Sequence, residues 1–288
     1  MLRRTTELSF TCALVTRFLL AADRTRRMNE NYEVKGCVHT LEQRGRTKYG
    51  LDRQLSHESF DVEFSPTGQV LQQTDYTNAT AVYGSSRFTY DTAGRLIRTV
   101  EFDGAGIEIA ISEFEYPEGK RVCTIRDATG VVTGRAVDEF VGNLLTLLGT
   151  YDANGRPKRL KSFEYSKGKL SQSVSRYYGY DGKLCEQWIT SYDSAGRIAK
   201  TFGLKSDGSP LGDGKYAYEY DSEGRRTKIW SFNDWEDVAS AVTISKYLDD
   251  EKGNWIERSD YHCSKRDSNW TKRIATRRLT YFPAGNSL

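Results

Sequence analysis

Tyr192-Asp193-Ser194-Ala195-Gly196-Arg197 is one of four copies of an aromatic-Asp-x-x-Gly-Arg motif, and this motif decides the fold. The other copies begin at Tyr90, Tyr151 and Tyr220. An aspartate carboxylate at this position can accept backbone N–H groups two residues further along, and the glycine can adopt the positive φ that closes a tight turn. The arginine can pair with the aspartate or cover a neighbouring tyrosine ring. The motif therefore predicts a β-hairpin turn whose structural residues are Asp91, Gly94, Arg95, Asp152, Gly155, Arg156, Asp193, Gly196, Arg197, Asp221, Gly224 and Arg225.

Around these turns the chain repeats itself. Residues 166–193, 194–221, 222–250 and 251–282 are four versions of one unit, with lengths of 28, 28, 29 and 32 residues. Each unit opens on a glycine turn and closes on a strand in which aromatic residues alternate with others. Units of this size cannot bury their faces alone and must stack on their neighbours. We therefore predict an all-β fold, a repetitive antiparallel β-hairpin array in a curved or coiled sheet that could form an open shell.

The turn signals divide the chain into three regions. Residues 1–28 are predicted to be a signal peptide or a disordered leader, residues 29–87 a divergent strand-rich entry or cap, and residues 88–288 the array itself. The strongest helix signal lies at residues 135–148, although glycines weaken it and a pair of strands fits nearly as well. In the strand that follows Gly94, the alternation predicts that Leu96, Val100 and Phe102 share one face.

The four motif copies resemble the YD repeats of the Rhs and wall-associated protein family, which occurs in bacterial surface and toxin-delivery proteins and in animal teneurins. This resemblance implies long curling β-sheets that in large members wrap into a hollow shell around a toxin. The array in this chain is short, and no toxin-like segment follows residue 282. We therefore expect an open, curved sheet here and not full encapsulation.

Composition argues against several classes of function. The 42 basic and 39 acidic residues give a net charge of only +3 and are spread along the chain, so no nucleic-acid partner is predicted. The five cysteines form no CxxC pair, which excludes the common zinc and redox motifs; isolated buried thiols are expected, with two disulfides as the alternative. His39, His57 and His262 are too scattered for a metal cluster or a catalytic triad. No catalytic residue, metal or cofactor is predicted.

The first 22 residues resemble a secretory signal, because two arginines precede an apolar run that ends in small residues. Arg17 interrupts that run. We expect an exported protein, whether periplasmic, at the cell surface or secreted; the location would be cytoplasmic if the leader is not a signal. No other segment has the roughly 18 apolar residues that a membrane span requires.

Exposed aromatic residues provide the strongest functional signal. A groove of such rings could hold sugar rings or an extended peptide, whereas the alternative is that the rings pack the sheet itself. The candidate residues are Tyr178, Tyr180, Trp188, Tyr192, Trp230, Trp255 and Trp270. We predict a non-enzymatic scaffold that binds a glycan or a partner protein at the cell surface or envelope, with a link to toxin delivery. The alternatives are a carbohydrate-active hydrolase that uses the motif aspartates, and an immunity or chaperone protein of an Rhs-type toxin.

Overall fold

The structure, a computed structural model, describes residues 38–49, 53–55, 59–77, 81–232, 239–264 and 270–281. All regular structure in these ranges is β, which confirms the predicted all-β hairpin array. The predicted leader, residues 1–28, lies outside the described residues. Residues 135–148, the candidate helix, instead form a hairpin of two strands with Gly142 at its turn, at a φ of 58°.

The described residues form nineteen strands, of which all but one belong to a single ring. Their bounds are β1 Val38–Tyr49, β2 Arg53–Leu55, β3 Ser59–Phe64, β4 Val70–Tyr76, β5 Val82–Tyr90, β6 Leu96–Asp103, β7 Glu108–Glu115, β8 Lys120–Asp127, β9 Val132–Val141, β10 Leu144–Asp152, β11 Pro157–Ser166, β12 Lys169–Tyr178, β13 Leu184–Tyr192, β14 Ile198–Lys205, β15 Pro210–Tyr220, β16 Arg226–Phe232, β17 Ala241–Asp249, β18 Trp255–Ser264 and β19 Thr271–Tyr281. From β3 to β19 each strand pairs antiparallel with the next.

The sheet is closed, whereas the sequence favoured an open one. Strand β1 pairs with β19 along one edge, where Leu41 lies opposite Leu279, and with β3 along the other, where Leu41 lies opposite Val62. Eighteen antiparallel strands therefore form a closed barrel of hairpins, and β2 pairs with the end of β1. The closing contact joins segments more than two hundred residues apart, for which no local sequence signal exists.

The predicted turn chemistry is present in the motif copies. In the turn after β5, Asp91 Oδ1 accepts the backbone N–H groups of Ala93 at 3.0 Å and Arg95 at 2.8 Å. Gly94 donates its backbone N–H to the Asp91 carbonyl at 2.9 Å and has a φ of 78°. The carboxylates of Asp152 and Asp193 accept the same two N–H groups in their turns. These bonds hold each aspartate inside its own turn.

Neighbouring turns on one end of the barrel are tied together by tyrosine and arginine. We call the end that carries the turns after β3, β5 and the later odd-numbered strands the first rim, and the opposite end the second rim. The Arg95 guanidinium lies 5.0 Å from the ring centroid of Tyr116, and the Tyr116 hydroxyl donates to the Leu96 carbonyl at 2.7 Å. The same pair of contacts joins Arg197 to Tyr220 and Arg225 to Tyr247.

The fourth motif copy lies on the second rim and behaves differently. Its turn joins β10 to β11, and Arg156 Nη1 donates to the Tyr180 carbonyl at 3.5 Å. The three copies on the first rim therefore use their arginine to cover a tyrosine of the next turn, whereas this copy contacts the backbone of its neighbour. The position of a turn on one rim or the other depends on the number of strands before it, which the motif itself does not encode.

The inner face of the barrel carries the main apolar cluster. The buried residues of this cluster are Leu41, Val62, Phe64, Val70, Phe88, Leu96, Phe114, Cys123 and Ala136. The predicted face of β6 is correct for Val100 and Phe102 but wrong for Leu96, because a register shift at the start of the strand places Leu96 on the inner face together with Thr99 and Glu101. Val100 and Phe102 alternate with these buried residues and therefore lie on the outer face.

Gly196→Ala tests the turn. The φ of Gly196 is 78°, and a Cβ there would meet no other atom within 4 Å, so the cost comes from the backbone alone. We expect a loss of about 1–2 kcal/mol in the free energy of unfolding, measured by urea denaturation. Ser194→Ala, at an exposed position of the same turn, is the control and should unfold at the wild-type midpoint. Equal midpoints for the two variants would contradict the role of the positive φ.

Candidate functional site

The candidate site is the inner wall of the barrel, which the strand registers define. Register partners in an antiparallel ladder share one face, so a row can be followed from strand to strand. One such row across β8 to β14 runs Arg121, Asp138, Leu148, Lys161, Ser175, Trp188 and Gly203. Because Arg121 and Asp138 are 3% and 1% exposed, this row lies on the inner face.

The inner wall has two different halves. Along β3 to β9 most of its side chains are buried, as in Phe88, Ser112 and Ala136. Along β10 to β17 most of them are half-buried, as in Lys161 and Trp188, although Ser173 and Ser175 on β12 are buried. A closed ring of this many strands is wide enough to enclose a space. The half from β10 to β17 is therefore the part of the inner wall that solvent and a ligand can reach.

The buried half contains an ion pair and a thiol. Arg121 Nε donates to Asp138 Oδ2 at 2.6 Å across the β8–β9 ladder. Cys123, the next inward residue on β8, is 0% exposed, and burial raises the pKa of its thiol to about 12. A thiol that keeps its proton at neutral pH is a poor nucleophile. This part of the wall is therefore suited to packing and not to covalent chemistry.

Glu101 is the unusual residue of the buried half. Its side chain is 7% exposed on the inner face of β6, where its register partners are Ser86 and Ala110. Burial raises the pKa of its carboxyl group to about 7. At neutral pH this carboxyl therefore titrates, and below that pH it is neutral.

The accessible half carries an aromatic surface built around Trp188. A methyl group at Gly203 on β14 would lie 3.2 Å from atoms of the Trp188 indole, so the ring lies over that glycine. The indole also stacks on the ring of Tyr216, with centroids 6.3 Å apart and an interplanar angle of 29°. Trp188 Nε1 donates to Glu186 Oε1 at 3.0 Å, which fixes the orientation of the indole. One face of the indole is covered by Gly203, and the half-exposed remainder faces the enclosed space.

Hydroxyl groups surround this aromatic surface. Thr190 and Thr201 are register partners on its first-rim side and their hydroxyls lie 3.3 Å apart. Ser175 lies directly opposite Trp188 on β12. We call Ser175, Tyr177, Trp188, Thr190, Thr201, Tyr216 and Tyr218 the aromatic wall. Rings bordered by hydroxyls can contact the flat face of a ligand and bond its polar edge.

The seven predicted aromatic residues do not lie on one face. Trp188 and Tyr192 are on the inner face, and the Tyr192 hydroxyl lies 3.0 Å from Ser173 Oγ. Trp255 is 2% exposed and is covered by the Arg277 guanidinium, 3.4 Å from its ring centroid. Trp230 lies on the outer face, where its Nε1 donates to Glu219 Oε1 at 3.1 Å.

The other three predicted aromatics lie towards the second rim. Tyr180 is 94% exposed at the tip of the β12–β13 turn, and Trp270 is 53% exposed just before β19. Tyr178 is half-buried at the end of β12, beyond a bulge that follows Tyr177. Sequence alternation alone cannot follow such bulges, which move a residue from one face to the other. Only Trp188 of the seven belongs to the aromatic wall.

The motif aspartates do not form a pair of facing carboxylates. Asp91 and Asp193 each hold two backbone N–H groups and the Nε of the arginine in their own turn. These hydrogen bonds lower the pKa of both carboxyls below the usual range. A glycosidase needs one carboxylic acid with a raised pKa across a cleft from another carboxylate. The motif aspartates therefore have neither the facing arrangement nor the raised pKa that a glycosidase pair requires.

Sequence reasoning missed the charged residues of the inner wall. Arg159 and Lys161 are separated by one residue on β11, and Arg121 and Glu101 occupy inward positions of their strands. The only sequence pattern that could have predicted these inward charges is a pair of charged residues at alternate positions of a predicted strand. That signal was ambiguous because charges at alternate positions are also the usual mark of a solvent face.

The described residues can be searched for metal ligands, cysteine pairs and membrane-spanning helices. Within them no group of three or more His, Cys, Asp or Glu is arranged to hold a metal ion. Cys123, Cys185 and Cys263 are free thiols, the first buried and the second exposed. Among the residues that the structure covers, no helix is long and apolar enough to cross a bilayer.

Comparisons with known proteins give distant structural similarities. No protein-family model and no curated protein matches the sequence. A porin-like protein from Bacteroides uniformis overlaps 84% of this chain and 96% of its own, with 12% identity and a TM-score of 0.49. A second porin-like protein, from Bacteroides vulgatus, overlaps 86% of this chain and 100% of its own, with 12% identity and a TM-score of 0.38. A Tc holotoxin pore of Photorhabdus luminescens overlaps 80% of this chain and 12% of its own, with 16% identity and a TM-score of 0.27.

Glu101→Gln tests the buried carboxyl. The folded carboxyl keeps its proton up to about pH 7, whereas the unfolded one loses it near the ordinary value of 4.5. The folded state therefore binds more protons between these values, and its stability falls as the pH rises through this window. At pH 8 we expect the free energy of unfolding of Glu101→Gln to be about 2–3 kcal/mol higher than that of the wild type. At pH 4.5 we expect little difference between the two proteins.

Urea denaturation at pH 4.5 and pH 8 measures this effect. Glu115→Gln, at an exposed position of β7, is the matched control and should leave the pH dependence unchanged. A wild-type pH dependence that persists in Glu101→Gln would show that other groups are responsible.

Proposed function

We propose that this chain is a non-enzymatic repeat scaffold that binds an extended ligand on the aromatic wall. The main support for this proposal is the position of the Trp188 indole, which lies over Gly203 and stacks on Tyr216. The rest of the indole is partly exposed to the enclosed space. A ring fixed in this way offers a flat apolar surface at little cost in side-chain entropy. The neighbouring Thr190 and Thr201 hydroxyls supply donors and acceptors for the polar edge of a ligand.

Closure of the sheet limits how a ligand can be recognised. An extended peptide usually binds a sheet by adding a strand to an unpaired edge. Along the paired parts of the ring, β1 and β19 occupy each other's edges, so the described ladder offers no such edge. Recognition therefore depends on side chains, which favours a glycan as the first ligand class to test and a partner protein as the second.

The proposal includes the repeat class and the location. The turn motif, with its aspartate, positive-φ glycine and tyrosine-covering arginine, supports a YD-repeat-like scaffold. The apolar N-terminal stretch supports export to the periplasm, the cell surface or the medium. The aromatic wall would be the binding surface both for adhesion to an envelope component and for a function in toxin delivery.

Trp188→Ala tests the binding surface. A glycan array of wild-type protein, followed by calorimetric titration of the best ligand, should give a dissociation constant that rises about tenfold or more in Trp188→Ala, because the stacking surface is lost. Trp230→Ala, on the outer face, is the matched control and should bind like the wild type. Equal losses in the two variants would contradict the assignment to the inner wall. Turnover of a glycan that a single acid-to-amide substitution abolishes would contradict the non-enzymatic function.

A mass measurement tests the location. We expect the protein isolated from its native host to have lost about its first 22 residues, because the small residues before position 23 suit signal cleavage. An uncleaved N-terminus with reduced cysteines would instead favour an intracellular immunity or chaperone protein. The mass of the full 288-residue chain, 32.8 kDa, is the standard for the uncleaved protein.

A further inference from the structure

We propose that Arg159 and Lys161 form an anion-binding site on the inner wall, next to the aromatic wall. The site would bind a phosphate, sulfate or carboxylate group of a ligand. The inference deepens the proposed function, since it rests on the same accessible half of the barrel, and it assigns an anionic group to the ligand.

The two cations lie together on one face of β11. Arg159 has Thr150 and Tyr177 as register partners, and Lys161 has Leu148 and Ser175. Both cations are half-buried, and the part of each side chain that remains exposed can contact a ligand in the enclosed space. Ser175 is also the register partner of Trp188, so the aromatic wall begins one strand away from Lys161.

No carboxylate of the described residues forms an ion pair with either cation. Apart from Asp152 at the β10–β11 turn, the inward acids nearest by register are Asp138 and Glu186, and each lies two strands from β11. Arg121 already donates to Asp138, and the Trp188 indole donates to Glu186. On the flanking strands, the register partners of the two cations carry hydroxyl or apolar groups. Asp152, at the turn end of β10, accepts backbone N–H groups of its own turn.

Aromatic rings hold the cations in place without using up their donors. The Arg159 guanidinium lies 5.2 Å from the ring centroid of Tyr177, and Lys161 Nζ lies 5.0 Å from that of Phe163. The hydrogen bond from Arg159 Nη2 to Ser175 Oγ is long, at 3.5 Å, and Arg159 Nε has no partner in the described structure. The Thr150 hydroxyl beside it is likewise buried without a partner in that part of the chain. Cation–π contacts of this kind orient a charge but do not neutralise it.

The environment of the Lys161 ammonium, which is partly buried and close to a second cation, adds a further argument. Burial, together with the charge of Arg159, lowers the pKa of Lys161 to about 8. The protonated lysine is therefore disfavoured here relative to water, and an anion between the two groups would stabilise both charges. A guanidinium can hold two oxygens of one phosphate, sulfate or carboxylate, and an ammonium can hold a third or bridge to a hydroxyl.

The direct test is calorimetric titration of the full chain at pH 7 and low ionic strength with inorganic phosphate, sulfate and acetate in turn. We expect one saturable site, and the anion that binds most tightly identifies the class of the natural group. Lys161→Met and Arg159→Gln should each weaken that binding about tenfold or more, since each removes a charge-assisted hydrogen bond. Lys158→Met removes an exposed cation from the same strand and should leave the affinity unchanged.

Two further measurements separate the outcomes. Lys161→Arg keeps the charge and should retain binding, which distinguishes loss of charge from loss of fold. Trp188→Ala should still bind the free anion, so the anion site and the aromatic wall can succeed or fail independently. Absence of saturable binding for all three anions, or equal weakening in Lys158→Met, would overturn the proposal.

Discussion

The antiparallel pairing between β1 and β19 is the constraint on which the rest of this structure depends. It joins the two ends of a hairpin array into a ring, so that the backbone groups along these edges are satisfied by each other. Unpaired edges invite association with other chains, and closure removes this hazard. It also divides every strand into an inner and an outer side. Without closure, the buried charges of the inner wall would face water and the aromatic wall would be part of an open surface.

Hairpin turns alone do not hold such a ring together. On the first rim the hydroxyl of Tyr116 bonds to the backbone of the previous hairpin while Arg95 covers its ring, and the contact recurs at Tyr220 and Tyr247. Each contact links one hairpin to the hairpin before it in the array. A chain of such links distributes stability along the ring, as nearest-neighbour contacts do in other repeat proteins. The consensus tyrosine and arginine thus stabilise the contact between successive hairpins more than the turn in which they lie.

The inner wall of this single sheet has a buried half and a partly exposed half. Between β3 and β9 the inward residues are buried, and Glu101 and the Arg121–Asp138 pair are charged groups in an apolar setting. Between β10 and β17 the inward side chains are half-exposed, and Trp188, Arg159 and Lys161 lie on a surface that a ligand can reach. The residues of the proposed binding sites therefore lie in the later hairpins, while the inward residues of the earlier hairpins pack against one another.

The amino-acid sequence by itself determined the class of fold and the chemistry of each turn, because an aspartate, a glycine with positive φ and an alternating strand act within about six residues. It did not determine closure, the face of β6 or the division of the aromatic residues. A bulge shifts Leu96 inward and leaves Val100 outside, and the strand registers place Trp188 on the inner face and Trp230 on the outer face. Such shifts, and the pairing of Leu41 with Leu279, depend on strands that are distant in the chain. Only the tertiary structure could decide them, since register between distant strands is set by packing and not by local propensity.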